Sequence, residues 1–181
     1  MKKNYHHLFW LDLEMSGLDI EVDRIIEIAT VVTDLQLNVV AEGPSLAISQ
    51  EQVILDGMDE WNQKHHGASG LIEKVKASSI TEAAAEIMTL RFLEKYTSEK
   101  GTVPLCGNSV HQDRKFLAKY MPKLHDFFHY RNIDVSTLKE LCRCWYPETP
   151  LFTKKNKHTA LEDTLESIEE MGYYRQRLFN S

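Results

Sequence analysis

Apolar positions follow two different periods along this chain. Leu8 to Glu14 is a short apolar run with aromatic and alternating character, which predicts a strand. Arg24 to Asp34 holds the β-branched stretch Ile25-Ile26-Glu27-Ile28-Ala29-Thr30-Val31-Val32 and predicts a second strand. Asn38 to Ile48 predicts a third. Ser16-Gly17 and Asp34 to Asn38 supply turns between them, so an antiparallel meander is expected. Helical spacing then takes over. Glu60 to His66 and Gly70 to Lys76 predict short helices. A longer one is expected to start near Ser79 or Thr81 and run toward Tyr96, with Ser79-Ile80-Thr81-Glu82 at capping-box spacing.

A fourth strand is expected over Thr102 to Cys106, ending at Gly107-Asn108. A helix with Asp113, Phe116, Leu117 and Tyr120 follows and closes at Pro122. A fifth strand near Ile133 to Val135 leads to a helix capped by Ser136 or Thr137 and ending near Tyr146-Pro147. The loop Glu148 to Lys157 precedes a last helix, starting near His158 and carrying Leu161, Leu165, Ile168 and Met171. This order predicts an α/β fold, a mixed sheet flanked by helices.

Length and charge narrow the picture. With 181 residues, 43% of them hydrophobic, the chain fits one core, and neither repeat nor linker divides it. The net charge of −6 argues against coating long duplex nucleic acid, which requires cations to neutralise phosphates. No apolar run approaches the roughly 20 residues of a spanning helix. Asp12 and Glu14 break the only candidate signal segment, so a cytoplasmic location is expected. Cys106, Cys142 and Cys144 are too few and wrongly spaced for a disulfide framework or a zinc site, and read as core or surface thiols.

Three acidic groupings carry candidate chemistry. Asp12 and Glu14 are two apart on a strand, so both project from one face. Their mutual repulsion is relieved by a divalent cation, which prefers oxygen ligands. As an isolated motif, Asp-x-Glu also fits a solvated strand end. Asp113 opens a helix just after a strand, where α/β sites form and where an acid also suits the helix dipole. His158 and Asp163 flank the start of the last helix. If His158 were inside that helix, Glu162 at i+4 would share its face better than Asp163 does, and spacing does not choose between the two acids.

Together these residues carry a resemblance. Asp12-Leu13-Glu14, Asn108-Ser109-Val110-His111-Gln112-Asp113 and His158-Thr159-Ala160-Leu161-Glu162-Asp163 resemble the three motifs of the DEDDh superfamily of 3′-to-5′ exonucleases. Trp10 to Leu18, Met58 to Asn62 with His66, and Tyr130-Arg131 followed by Asp134 to Leu141 resemble the oligoribonuclease family within it. The likeness spans nearly the whole chain.

The resemblance implies a ribonuclease H-like five-stranded sheet in a single exonuclease domain over residues 1–181. It implies a 3′-to-5′ exoribonuclease that degrades very short RNAs, dinucleotides especially, to 5′-mononucleotides. Two Mg²⁺ or Mn²⁺ ions would be held by Asp12, Glu14 and Asp163, with Asp113 in direct or water-mediated contact, and His158 would be the general base. Leu18 would wedge beside the bases, with Trp61 and His66 near the terminal nucleotide. Tyr130 would come from the second subunit of a homodimer. Arg131, Ser109, Ser136 and Thr137 would cap a 5′ phosphate. Lys154-Lys155-Asn156-Lys157 is a candidate phosphate-steering tract or a solvated loop. The competing readings are a DNA-proofreading or tRNA-trimming enzyme on the same scaffold, a non-catalytic nucleic-acid-binding module, and a small cysteine-based metal or redox protein.

Overall fold

The computed structural model describes residues 5–153 and 159–179. Strands β1 (His7–Met15), β2 (Ile25–Asp34), β3 (Val39–Ala47), β4 (Pro104–Gly107) and β5 (His129–Asp134) form one sheet in the order β3-β2-β1-β4-β5. The first three make the expected antiparallel meander, while β4 and β5 join β1 in parallel. β1, β4 and β5 therefore all end at one edge of the sheet.

The two-residue period of β1 sorts its side chains. Phe9, Leu11 and Leu13 point into a core closed by helices α4 (Glu82–Leu93), α5 (His111–Tyr120) and α6 (Pro122–Phe127). Leu8 and Trp10 point the other way, into a core closed by α7 (Val135–Trp145) and α8 (Ala160–Leu178). Trp10 is fully buried, and its indole N–H finds a partner in Thr33 Oγ1 at 3.0 Å. A third cluster packs Ile26 against Leu55 of α1 (Gln52–Asp56) and against Leu71 and Val75 of α3 (Leu71–Ala77). Helix α2 (Glu60–Ala68) lies between these two helices in the chain.

Several helix boundaries differ from expectation. The long helix is capped by Thr81, whose side chain accepts from the Ala84 N–H, so Ser79 is not the cap. Helix α7 is capped by Asp134, the last residue of β5, and Ser136 and Thr137 lie inside its first turn. Strand β5 starts at His129 rather than near Ile133. Helix α8 starts at Ala160 behind the cap residue Thr159. Cys142 lies in the core and Cys144 is exposed, as two positions on a helix turned well away from each other require.

Two short helices, α1 and α6, have no counterpart in the apolar pattern. Pro122 closes α5 and also occupies the first turn of α6, where a missing N–H costs nothing. Met121 precedes it and has no side chain able to cap. The buried Glu86 of α4 does so instead, accepting from the N–H groups of Lys123 (2.7 Å) and Leu124 (3.1 Å). Removing that acceptor leaves donors buried without a partner, at a cost of about 1–3 kcal/mol. Glu86→Ala is expected to lower the unfolding free energy by that amount, read as a lower urea midpoint at unchanged slope, without changing activity per folded molecule. An unchanged midpoint would show that water replaces the carboxylate.

Candidate active site

The even-numbered side chains of β1 turn from apolar to acidic as the strand reaches the edge of the sheet. Asp12 and Glu14 continue the face begun by Leu8 and Trp10, against which α8 packs. Asp163, in the first turn of α8, meets them there, and one carboxylate oxygen from each lies within 4.8 Å of the other two. Glu162 is engaged elsewhere. Its carboxylate accepts from the Thr159 hydroxyl at 3.1 Å, and its N–H lies 3.4 Å from that hydroxyl oxygen, so Glu162 is tied to the residue that caps the helix. Among the described residues it is therefore Asp163, and not Glu162, that joins Asp12 and Glu14.

Asp113 supports this cluster from the other side of β1. Strand β4 pairs with β1 only at Phe9 and Trp10 and ends at Gly107, so the ladder on that side stops short of the acids. Asp113 Oδ1 accepts the Leu13 N–H at 3.0 Å, from the residue between Asp12 and Glu14. Gly107 allows this close approach, because a Cβ there would lie 2.9 Å from the Leu11 carbonyl oxygen.

The site's electrostatics are those of crowded carboxylates. Burial pushes the Glu14 carboxyl up to about 8, and repulsion from Asp163, Glu27 and Asp113 adds to it. Burial likewise pushes Asp113 up to about 7, against the lowering effect of backbone donation from its own N–H and that of Leu13. Oxygen donors this close, held on two rigid elements, fit a hard divalent cation.

A cleft of about 600 Å³ opens beside Glu14 and is lined by Leu18, Trp61 and Asn62, among others. Leu18 and Trp61 are exposed large hydrophobic residues, and Trp61 stacks on His65 at 3.8 Å between centroids. His66 is buried. Its Nε2–H donates to the Met15 carbonyl at 3.1 Å, and its Nδ1 faces the Glu14 carboxylate at 4.0 Å. The loop bearing Leu18 is held by Asp23, which accepts from the Ser16 hydroxyl at 2.8 Å and the Asp19 N–H at 2.9 Å.

A second polar corner lies where β4 and β5 end. Ser109 has φ 52°, a conformation that costs an ordinary residue about 1–2 kcal/mol. It is held there because its N–H donates to both Asp134 Oδ1 and Ser136 Oγ, each at 3.0 Å. Thr137 follows Ser136 and is exposed. Arg131 lies on β5 with its guanidinium 5.3 Å from the Tyr130 ring centroid. Tyr130 itself is 76% exposed and borders a different groove, with Arg114 and Phe128. The structure therefore brings Asp12, Glu14 and Asp163 together, with Asp113 bound to the backbone between the first two and His66 beside Glu14, places Glu14, Leu18 and Trp61 on one cleft, and joins Ser109 to Ser136. It does not bring Tyr130 into that cleft. His158 and Lys154-Lys155-Asn156-Lys157 lie outside the described residues.

The RNase T exonuclease family model matches residues 9–171. The oligoribonuclease of Alcanivorax borkumensis is 59% identical over 182 residues, covering 100% of both chains. That of Dichelobacter nodosus is 60% identical, covering 98% of this chain and 97% of its own. The chain belongs to the oligoribonuclease family of exonucleases. Among solved structures, a zinc-bound E. coli ExoI–ssDNA complex aligns with a TM-score of 0.72 at 16% identity, covering 97% of this chain and 41% of that longer one. The fold is thus ribonuclease H-like, as the family resemblance implies, and its mixed sheet is the one the element order predicts.

One residue of this oligoribonuclease-family site escapes motif reading. Glu27 pairs in register with Glu14 on the neighbouring strand, is buried, and accepts the Ala160 N–H at 2.9 Å, so it anchors the start of α8 beneath Asp163. Its only sequence signal is an acid inside a β-branched strand.

The raised carboxyls set a pH dependence. A carboxyl whose pKa rises on folding favours the folded state while protonated. That contribution is complete below its ordinary value, near 4, and is lost as pH climbs through about 7 to 8. In EDTA, Tm is therefore expected to fall progressively from about pH 4.5 to about pH 8 and to level off above that, and the Tm gain from added Mg²⁺ to grow over the same range. Differential scanning fluorimetry checks this, and a gain independent of pH would contradict the repulsion.

Proposed function

We propose that this protein removes 5′-mononucleotides from the 3′ end of very short RNAs, dinucleotides above all, as a single exonuclease domain. Membership of the oligoribonuclease family and the convergence of Asp12, Glu14 and Asp163 beside an aromatic cleft carry this reading.

Asp12, Glu14 and Asp163 would hold two divalent ions, Mg²⁺ or Mn²⁺, with Asp113 in direct or water-mediated contact. When bound, the ions neutralise phosphate charge, acidify the attacking water and stabilise the leaving 3′ oxygen. The chain's own residues supply position and proton transfer. Asp113 fixes the backbone between Asp12 and Glu14 by holding the Leu13 N–H. Glu27 fixes the first turn of α8 and with it Asp163. His158 accepts the proton of the attacking water, a role suited to an imidazole near neutral pH. Leu18 and Trp61 grip the terminal base, and such stacking contributes about 1–3 kcal/mol per base without sequence preference. His66 orients the same nucleotide from beside Glu14.

The 5′ end is read at the second corner. Ser109, Ser136 and Thr137 at the start of α7, with Arg131, cap a terminal phosphate, and this cap admits short chains and excludes long ones. Tyr130 packs on the remaining base from the second subunit of a homodimer. Its exposure and its place outside the chain's own cleft support that assignment. The enzyme acts in the cytoplasm.

Incubation with a labelled RNA dinucleotide is expected to release mononucleotide with Mg²⁺ or Mn²⁺ and none with EDTA. Metal-independent release, or no release, would overturn the reading. His158→Ala is expected to lower turnover at least 100-fold, in the range of lost general-base catalysis. Divalent-ion binding, measured by calorimetry, should be unchanged. Wild-type turnover in that variant would remove His158 from the role.

A further inference from the structure

The acidic cluster and the Ser109–Ser136 corner are connected by one side chain, Asn108, at the end of β4. Its amide nitrogen donates to Ser167 Oγ at 2.8 Å and to Glu170 Oε2 at 3.1 Å, both on α8. Its amide oxygen accepts from the Ser136 hydroxyl at 3.0 Å, on α7. Ser167 in turn donates to the main-chain oxygen of Asp163 at 2.8 Å. Ser136 receives the Ser109 N–H. An unbroken chain of hydrogen bonds thus runs from Asp163 through Ser167, Asn108 and Ser136 to Ser109.

Glu170 makes this link specific. It is wholly buried, and its second oxygen pairs with Lys139 of α7 at 3.4 Å. A buried carboxylate is costly unless its partners are fixed, so Asn108 and Lys139 are both drawn to one geometry. Asn108 has a donor end and an acceptor end and uses both, which dictates which way its amide faces.

We propose that Asn108, oriented by Glu170, is a positioning residue that sets the separation between the carboxylate site and the 5′-phosphate corner, and so sets the length of RNA the enzyme prefers. This rests on the functional reading above. The hydrogen bonds of Asn108 run to Ser167, Glu170 and Ser136, the groups that tie α8 to the start of α7. Its effect is confined to substrates that span both ends.

The test compares three substrates under the same Mn²⁺ conditions. Thymidine 5′-monophosphate p-nitrophenyl ester reports the carboxylate site alone. A 5′-phosphorylated RNA dinucleotide spans both ends, and a five-nucleotide RNA overruns the corner. Asn108→Ala is expected to lower kcat/KM for the dinucleotide at least tenfold, mainly through KM, while the ester changes less than twofold and the preference for the dinucleotide over the pentamer collapses. Glu170→Gln keeps an acceptor for Asn108 but loses the ion pair, and a smaller loss of about threefold on the dinucleotide alone is expected. An equal fall on all three substrates, an unchanged dinucleotide-to-pentamer ratio, or loss of cooperative melting in both variants would overturn the proposal. Failure of the wild-type protein on the ester and the dinucleotide would instead overturn the functional reading.

Discussion

Repulsion between carboxylates organises this molecule. Asp12, Glu14 and Asp163, each half-buried, meet at the end of the central strand with the buried Glu27 and Asp113 close by, and partial burial thins the water that would screen them. Such a cluster persists only if the surrounding fold holds each carboxylate against its neighbours. The supports are backbone-directed. Asp113 takes the Leu13 N–H, and Glu27 takes the Ala160 N–H. Each acid that strains the site electrostatically also fixes the element carrying a neighbour.

The formal charge of −6 takes on a different meaning in that light. Read from composition, it opposes any dealing with nucleic acid. Placed in the fold, part of it is gathered into one site where it attracts cations instead of repelling a strand along the whole surface. Under the functional reading proposed above, a short RNA is held by stacking and by its chain ends, which calls for few cations. The strained Ser109 and the buried Glu170 belong to the same economy, since both hold a small polar corner in place near the acids.

The strands and the acid pair were legible because both depend on local periodicity. The β-branched run at Ile25 and the two-residue spacing of Asp12 and Glu14 project directly onto a strand. Helix starts were less legible where the capping group comes from a distant part of the chain or from the preceding strand. Asp134 caps α7 while ending β5, so strand and helix share one residue, and Glu86 caps α6 across 37 residues, where no local pattern marks it. Glu27 and Glu170 were invisible as site residues for a similar reason. An isolated acid in an apolar stretch is indistinguishable from an edge position until its partner on another element is known.

Residue order settled the succession of strands and helices, the pairing of Asp12 with Glu14 on one face, and a family membership carried by motifs along nearly the whole chain. Those features need only nearest-neighbour geometry and side-chain chemistry. Which acid of the last motif joins the cluster, which groups cap the helices, and how the two ends of the site are tied together depended on packing. Asp163 rather than Glu162 meets β1 because Thr159 begins α8 and claims Glu162 for the cap. Asn108 joins α7 to α8 because β4 stops between them. Hydrogen bonds and repulsions of this kind act across dozens of residues, and no linear pattern encodes which partner a buried polar group will find.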